Sequence, residues 1–267
     1  MDVRLAPTPV MEQAPGRSRQ GQPELQAIVR HLGGELSRPL GTLQHQFDRW
    51  MTDAFRSVTP DQRGHLSTMA ALCDDMQRLI RDYEDYTGLV LGIETLHPGP
   101  HRVRTLLQEL DRRFAPRAAS GGVAWACALV GPDALVAVDA EHVLQAVGHL
   151  VANALKFAAE GGRVAVSAGV EGPRWLVTVD DDGPGIPAEA HARVFEPFFR
   201  LPRDERATTP GHGLGLAICQ ELVDRMNGEI ALTSEDGKGT RVTINLPVGS
   251  SRPETPRPKG KRPPSVP

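Results

Sequence analysis

In the run His149-Leu150-Val151-Ala152-Asn153-Ala154-Leu155-Lys156-Phe157, Asn153 and Lys156 stand three residues apart and share one face of a helix. An amide oxygen there can ligate magnesium and an ammonium can neutralise phosphate; the same pair would also suit the polar face of a half-buried helix. Further on, Asp180-Asp181-Asp182-Gly183-Pro184-Gly185-Ile186-Pro187 sets three carboxylates before a Gly-x-Gly turn. A buried carboxylate accepts from the amino group of adenine, which donates, and the glycines let backbone approach the base closely. An ordinary acidic turn has the same composition. Phe195-Glu196-Pro197-Phe198-Phe199-Arg200 reads as core-filling aromatics. Gly211-His212-Gly213-Leu214-Gly215-Leu216-Ala217 opens a helix, and a glycine-rich turn at that place offers free N–H groups and a positive dipole end to phosphate. Many purely structural turns share this pattern. Gly237-Lys238-Gly239-Thr240, before a strand, reads as a hairpin turn.

These clusters need a scaffold of strands and helices. Strand-like segments at 123–130, 163–168, 175–180 and 240–246 alternate with helix-like ones at 103–114, 141–158 and 214–226, which predicts a mixed α/β domain over 101–249. Upstream the texture differs. Leu25, Ile28, Leu32, Leu36, Leu40, Leu43, Phe47, Trp50, Ala54 and Val58 recur in steps of three and four, as in a long amphipathic helix. Thr59-Pro60-Asp61-Gln62 then supplies an N-cap, a proline at the first helical position and a capping box. Leu66, Met69, Cys73, Met76, Ile80, Tyr83, Tyr86, Val90 and Ile93 continue at a coiled-coil spacing. Two such helices make a hairpin over 24–97 that cannot hide its own stripes, so pairing of two hairpins into a homodimeric four-helix bundle is expected. Residues 1–23 read as a disordered arm, and 250–267, Pro-rich and locally basic, as a disordered tail.

Composition narrows the function classes. The chain has 267 residues, 40% hydrophobic and 4% aromatic, so Leu, Val and Ala must fill a globular core. A net charge of -3 gives no reason to expect a nucleic-acid partner. Cys73, Cys127 and Cys219 lie far apart, which suits small buried residues in a reducing compartment. Without an apolar run long enough to span a bilayer, the expectation is a cytoplasmic protein with no direct membrane insertion.

The order and spacing of the four clusters, from about residue 139 to 247, resemble the ATP-binding domain of sensor histidine kinases, in the wider GHKL superfamily. The resemblance implies an α+β protein whose second domain is an α/β sandwich of the Bergerat type, with a mobile lid at about 200–212 closing over ATP. By match, Asn153 would ligate Mg2+, Lys156 would touch phosphate and Asp181 would hold adenine. Gly183, Gly185, Ile186, Arg200, Gly211, Gly213, Leu214, Gly215 and Thr240 would complete the ATP site. Arg200, Arg203 and Arg206 precede Gly211 and are candidates to meet phosphate as the lid orders. His149 departs from the pattern, since many members carry Asn there.

The hairpin resembles the dimerisation and phosphoacceptor domain of the same family, whose signature is His, then Glu-Leu, with Pro-Leu five residues after the His. Here Glu35, Leu36, Pro39 and Leu40 match, while Gly34 takes the acceptor position. Glycine has no nucleophile. Glu35 would polarise an imidazole at 34, and His31, one turn earlier, is a fallback acceptor. The reading is a histidine-kinase-like ATP-binding signalling protein of a two-component system, degenerate at its acceptor and acting on a response regulator or another kinase. An active protein-histidine kinase using His31 or another acceptor, and a GHKL serine kinase of the anti-sigma type, are the alternatives.

Overall fold

The computed structural model describes residues 59–93, 95–206 and 211–249, together with Gly41. The first helix of the expected hairpin, with His31, Gly34 and Glu35, lies outside the described residues, as do the arm and the tail.

Helix α1 spans Pro60–Val90. Its start is the capping box read from the sequence: Gln62 N donates to Thr59 Oγ1 at 3.3 Å and Thr59 N donates to the Gln62 side chain at 3.0 Å. It ends before Ile93, because Gly92 turns the chain at a φ of 68°. Strand β1, Gly99–Arg102, pairs antiparallel with β3, Leu135–Val138. Helix α2, Val103–Ser120, lies between them in sequence, as does β2, Ala124–Val130. Helix α3 follows at Ala140–Phe157, then β4 at Arg163–Glu171 and β5 at Arg174–Asp181. A short helix α4, Pro202–Arg206, precedes α5, Gly215–Arg225, and the chain closes with β6, Glu229–Glu235, and β7, Gly239–Pro247.

The main sheet has the order β2-β4-β5-β7-β6; β2 and β4 run parallel and the other neighbours antiparallel. Period-two alternation explains one dry face. Val164, Val166 and Ala168 of β4, Trp175, Val177 and Val179 of β5, and Val242, Ile244 and Leu246 of β7 all point into the core. Helices α2, α3 and α5 cover that face with stripes such as Val143, Val147, Leu150, Val151 and Ala154, or Ile218, Leu222 and Val223. The mixed α/β expectation therefore holds, with two differences. Strands β1, β3 and β6 are additional: β1 contains Pro100 and β6 is an edge strand, so neither has a strong strand pattern. Helix α2 also runs past residue 114 and through Pro116, because Phe114 and Ala118 are both buried against the core.

Helix α1 packs on α5, and polar links tie it to α3 and to α5. Gln145 Nε2 donates to Asp85 Oδ2 at 2.8 Å, and Arg225 Nη1 to the Leu89 carbonyl at 2.9 Å. This covers Ile80 and Leu89, while Met69, Leu72, Met76, Tyr83 and Val90 remain exposed on α1. Cys219 is buried and Cys127 partly so, and burial pushes the Cys127 thiol up to about 11. No helix among the described residues is long and apolar enough to cross a membrane.

Candidate nucleotide site

One cavity of about 590 Å³ opens between α3, the inner face of the sheet, the segment before α5, and α1. Asn153, Lys156, Asp181, Gly185, Ile186, Arg200, Gly211, Gly213, Leu214, Gly215 and Thr240 all line it. Sequence clusters far apart in the chain thus converge on one space.

Asp181 ends β5, where the alternation that buries Val177 and Val179 aims its side chain at the cavity. Its carboxylate accepts from Gly183 N at 2.9 Å and from the backbone N–H of Thr240. Burial holds it above the usual carboxylate range against those two bonds, and neighbouring Asp180 and Asp182 push the same way. Its two neighbours have other roles: Asp180 accepts from Arg241 at 2.9 Å, and Asp182 from Arg163 N at 2.7 Å. Of the three carboxylates, Asp181 alone lines the cavity.

Gly183 is buried beside Asp181, where a Cβ would stand 2.8 Å from the Asp181 carboxylate. The loop that follows is packed on the β6–β7 hairpin. Gly185 has a φ of 67°, and a Cβ there would lie 1.9 Å from the Glu235 carbonyl. Only glycine suits such a backbone and such an approach. Ile186 N donates to Ser234 Oγ at 2.8 Å, Ser234 Oγ pairs with Thr240 Oγ1 at 2.9 Å, and His191 Nε2 meets the Ile186 carbonyl at 2.9 Å. The hairpin turn read from the sequence is there, at residues 236–238, and Gly239 and Thr240 already begin β7 opposite Glu235 and Ser234.

At the other end, Asn153 and Lys156 come from the last turns of α3. The buried Asp139 anchors that helix: it accepts from His142 N at 3.2 Å and from His97 N at 2.7 Å. The Lys156 ammonium sits against the glycine-rich turn, since a Cβ at Gly211 would be 2.6 Å from Nζ. Burial, with Arg200 nearby, lowers the Lys156 pKa, while Asp204 and Asp75 oppose this. Gly213 has a φ of 72°, and a Cβ there would be 2.7 Å from both the Phe198 carbonyl carbon and the Phe199 oxygen. Gly215 opens α5 close to His149: a Cβ would lie 3.2 Å from His149 Nδ1.

The aromatic cluster is not core. Phe198 is 55% exposed at a φ of 65°, and Phe199 lines the cavity under the Arg193 guanidinium, 4.5 Å from its ring centre. The segment folds back on the glycine turn, with Phe198 N donating to the Gly213 carbonyl at 2.8 Å. Among the lid arginines, Arg200 borders the cavity and donates to the Asp204 carbonyl at 3.0 Å. Arg203 borders it too, with its guanidinium turned toward the loop after β5 and Asp236. The side chain of Arg206, and residues 207–210 of the expected lid, lie outside the described residues.

Sequence reasoning missed the wall that α1 supplies. Asp75, Arg78 and Asp82 line the cavity, and their spacing of three and four places them on one helix face, a signal that was there to be read. His212 Nε2 meets the Asp75 carbonyl at 2.9 Å, tying the glycine-rich turn to α1. Asp82 faces His149 and His212; burial raises the Asp82 carboxyl and lowers the His149 imidazole, and each opposes the other's shift. Ser234 was also missed, and nothing in its local sequence marks it.

These residues fit a magnesium-bound nucleoside triphosphate. A half-buried carboxylate faces a flat, glycine-walled recess, and an ammonium and an amide stand beside a glycine-rich helix N-terminus. Residues 138–250 match the family model "Histidine kinase-, DNA gyrase B-, and HSP90-like ATPase", so the C-terminal part of the chain is similar to the ATP-binding domain of that family. Over a longer stretch the chain is similar to the alginate biosynthesis sensor protein KinB of Pseudomonas aeruginosa. The two are 31% identical over 224 residues, 83% of this chain and 36% of KinB. It is 27% identical over 236 residues to the sensor histidine kinase GlrK of Escherichia coli, 82% of this chain and 46% of GlrK. Among solved structures, full-length ShkA in complex with AMPPNP superimposes with a TM-score of 0.70 at 27% identity, covering 83% of this chain and 46% of ShkA. The chain spans less than half the length of these curated relatives.

Proposed function

We propose that this chain is a histidine-kinase-like, ATP-binding signalling protein of a two-component system, and that it is degenerate at its own phosphoacceptor. The observation that supports nucleotide binding is the convergence of Asp181, Lys156, Asn153 and the Gly211–Gly215 turn on one cavity. In this reading Asp181 accepts from the adenine amine, Lys156 and the helix N-terminus at Gly215 hold phosphate, and Asn153 ligates Mg2+. Arg200, at the root of the lid, is placed to follow the phosphates. Apolar residues of α1 that stay exposed among the described residues, such as Leu72 and Met76, support a homodimer built on the hairpin. The partner is a response regulator or another kinase, and the compartment is the cytoplasm.

The degenerate reading rests on Gly34, which occupies the acceptor position of the family signature and offers no nucleophile. An acceptor must stand in line with the γ-phosphate, about 3–3.5 Å from it. His31 would have to replace it from three residues away, a shift of about 4.5 Å along a helix. The test is labelling by radioactive ATP of wild type, His31→Ala and Gly34→His under identical conditions. No label is expected in the first two, and acid-labile label is expected in the third, where Glu35 would follow the new imidazole. Labelling of wild type that vanishes in His31→Ala would overturn the degenerate reading in favour of an active kinase.

A further inference from the structure

Arg203 stands in the first turn of α4, where the expected lid begins. Its guanidinium reaches across to two other segments. Nη1 donates to Asp236 Oδ1 at 2.7 Å and lies 3.5 Å from the Pro184 carbonyl, while Nη2 donates to the Gly185 carbonyl. Asp236 belongs to the β6–β7 turn, whose Gly237 N donates to the same Pro184 carbonyl at 2.8 Å. Three pieces of chain therefore meet at one side chain: the root of the lid, the loop after β5, and the hairpin turn behind that loop. Phe199, Arg200 and Leu201 line the cavity, as do Asp181, Gly185 and Ile186. Arg203 lines the same cavity and joins the two segments through its bond to the Gly185 carbonyl.

We infer that Arg203 is a positioning residue that clamps the lid root to the adenine-side loop, and so sets how fast nucleotide leaves the site. The inference rests on the ATP-binding reading above. The fork geometry matters: a planar guanidinium can serve two carbonyls and a carboxylate at once, whereas a lysine ammonium is a point charge on one or two of them. The Asp236 side chain is 65% exposed, so that ion pair alone is weak and screened by salt. The carbonyl bonds carry the remainder, and they are directional. With the clamp closed, Gly185 keeps its approach to the Glu235 carbonyl.

The test is stopped-flow release of N-methylanthraniloyl-ATP, with magnesium, from the full chain. Arg203→Ala is expected to release about tenfold faster, equivalent to about 1.4 kcal/mol, with association changed by less than about twofold. Arg203→Lys should fall between the two, and Asp236→Asn, which spares the carbonyl bonds, should release no more than about twofold faster. A side chain that merely supported the fold would lower thermal stability without this graded series. Release from Arg203→Ala and Arg203→Lys at the wild-type rate would overturn the inference while leaving ATP binding intact. Should Arg203→Ala fail to fold, the lysine and Asp236 variants decide the question. Failure of the wild type itself to bind the analogue would overturn the ATP reading and this inference with it.

Discussion

Replacing Asp181 with Asn separates recognition from folding, because the carboxylate is held by the protein and yet disfavoured as a charge. It accepts from Gly183 N and Thr240 N, and burial keeps its pKa above the ordinary 3.8. A folded-state pKa that is raised means ionisation weakens the folded state as pH climbs through that range, so removing the charge relieves a penalty in the empty protein. The amide retains one oxygen. If that oxygen keeps the Gly183 and Thr240 bonds, the amide nitrogen faces the base and opposes its amine, donor to donor. If it turns, a backbone N–H is stranded instead. Either way one hydrogen bond to a charged acceptor is lost, about 1.5–3 kcal/mol, or about ten- to a hundred-fold in affinity. Calorimetric titration of ATP with magnesium into Asp181→Asn should show that loss, while the thermal midpoint without nucleotide stays level or rises. Unchanged affinity would refute the assignment of Asp181 to adenine.

Gly213→Ala should lose nucleotide affinity far more than Gly237→Ala. Both positions have positive φ, but a Cβ at 213 strikes Phe198 and Phe199, while one at 237 meets nothing within 4 Å; equal affinities in the two variants would contradict this. Asp139→Ala removes the cap of α3 and strands His97 N–H, so urea unfolding should show a loss of about 2–4 kcal/mol; a loss below about 0.5 kcal/mol would rule out that anchoring role. Burial lowers the His149 imidazole below 6.5 against the pull of Asp82. Just below that pH the unfolded chain binds more protons here, so stability falls as pH drops. Asp82, raised from 3.8, acts with the opposite sign in a lower window. His149→Asn should flatten the dependence of unfolding free energy on pH between about 7 and 5.5; an unchanged slope would show that His149 does not carry it.

Much of the site was legible because its chemistry is local in sequence. Gly185 and Gly213 advertise the backbone they adopt, Asn153 and Lys156 share a helix face, and the capping box at Thr59 fixes the start of α1 by itself. What escaped depends on partners distant in the chain. Phe198 and Phe199 read as core by residue type, yet their backbone belongs to the glycine turn and leaves Phe198 largely exposed. Arg203 stood among three arginines that could meet phosphate, and its fork is bonded to carbonyls of the loop after β5 and to the Asp236 carboxylate, partners that its place in the sequence does not name. The carboxylates of α1 became part of the cavity through the packing of α1 on α5, and no periodicity states which element a helix face will meet.

The account stands or falls on nucleotide occupying this cavity. Calorimetric titration of the wild-type chain with ATP in excess magnesium tests it directly. One site per chain is predicted, with a thermal midpoint that rises as ATP is raised above its dissociation constant. No binding heat and no change in midpoint at millimolar ATP would contradict it.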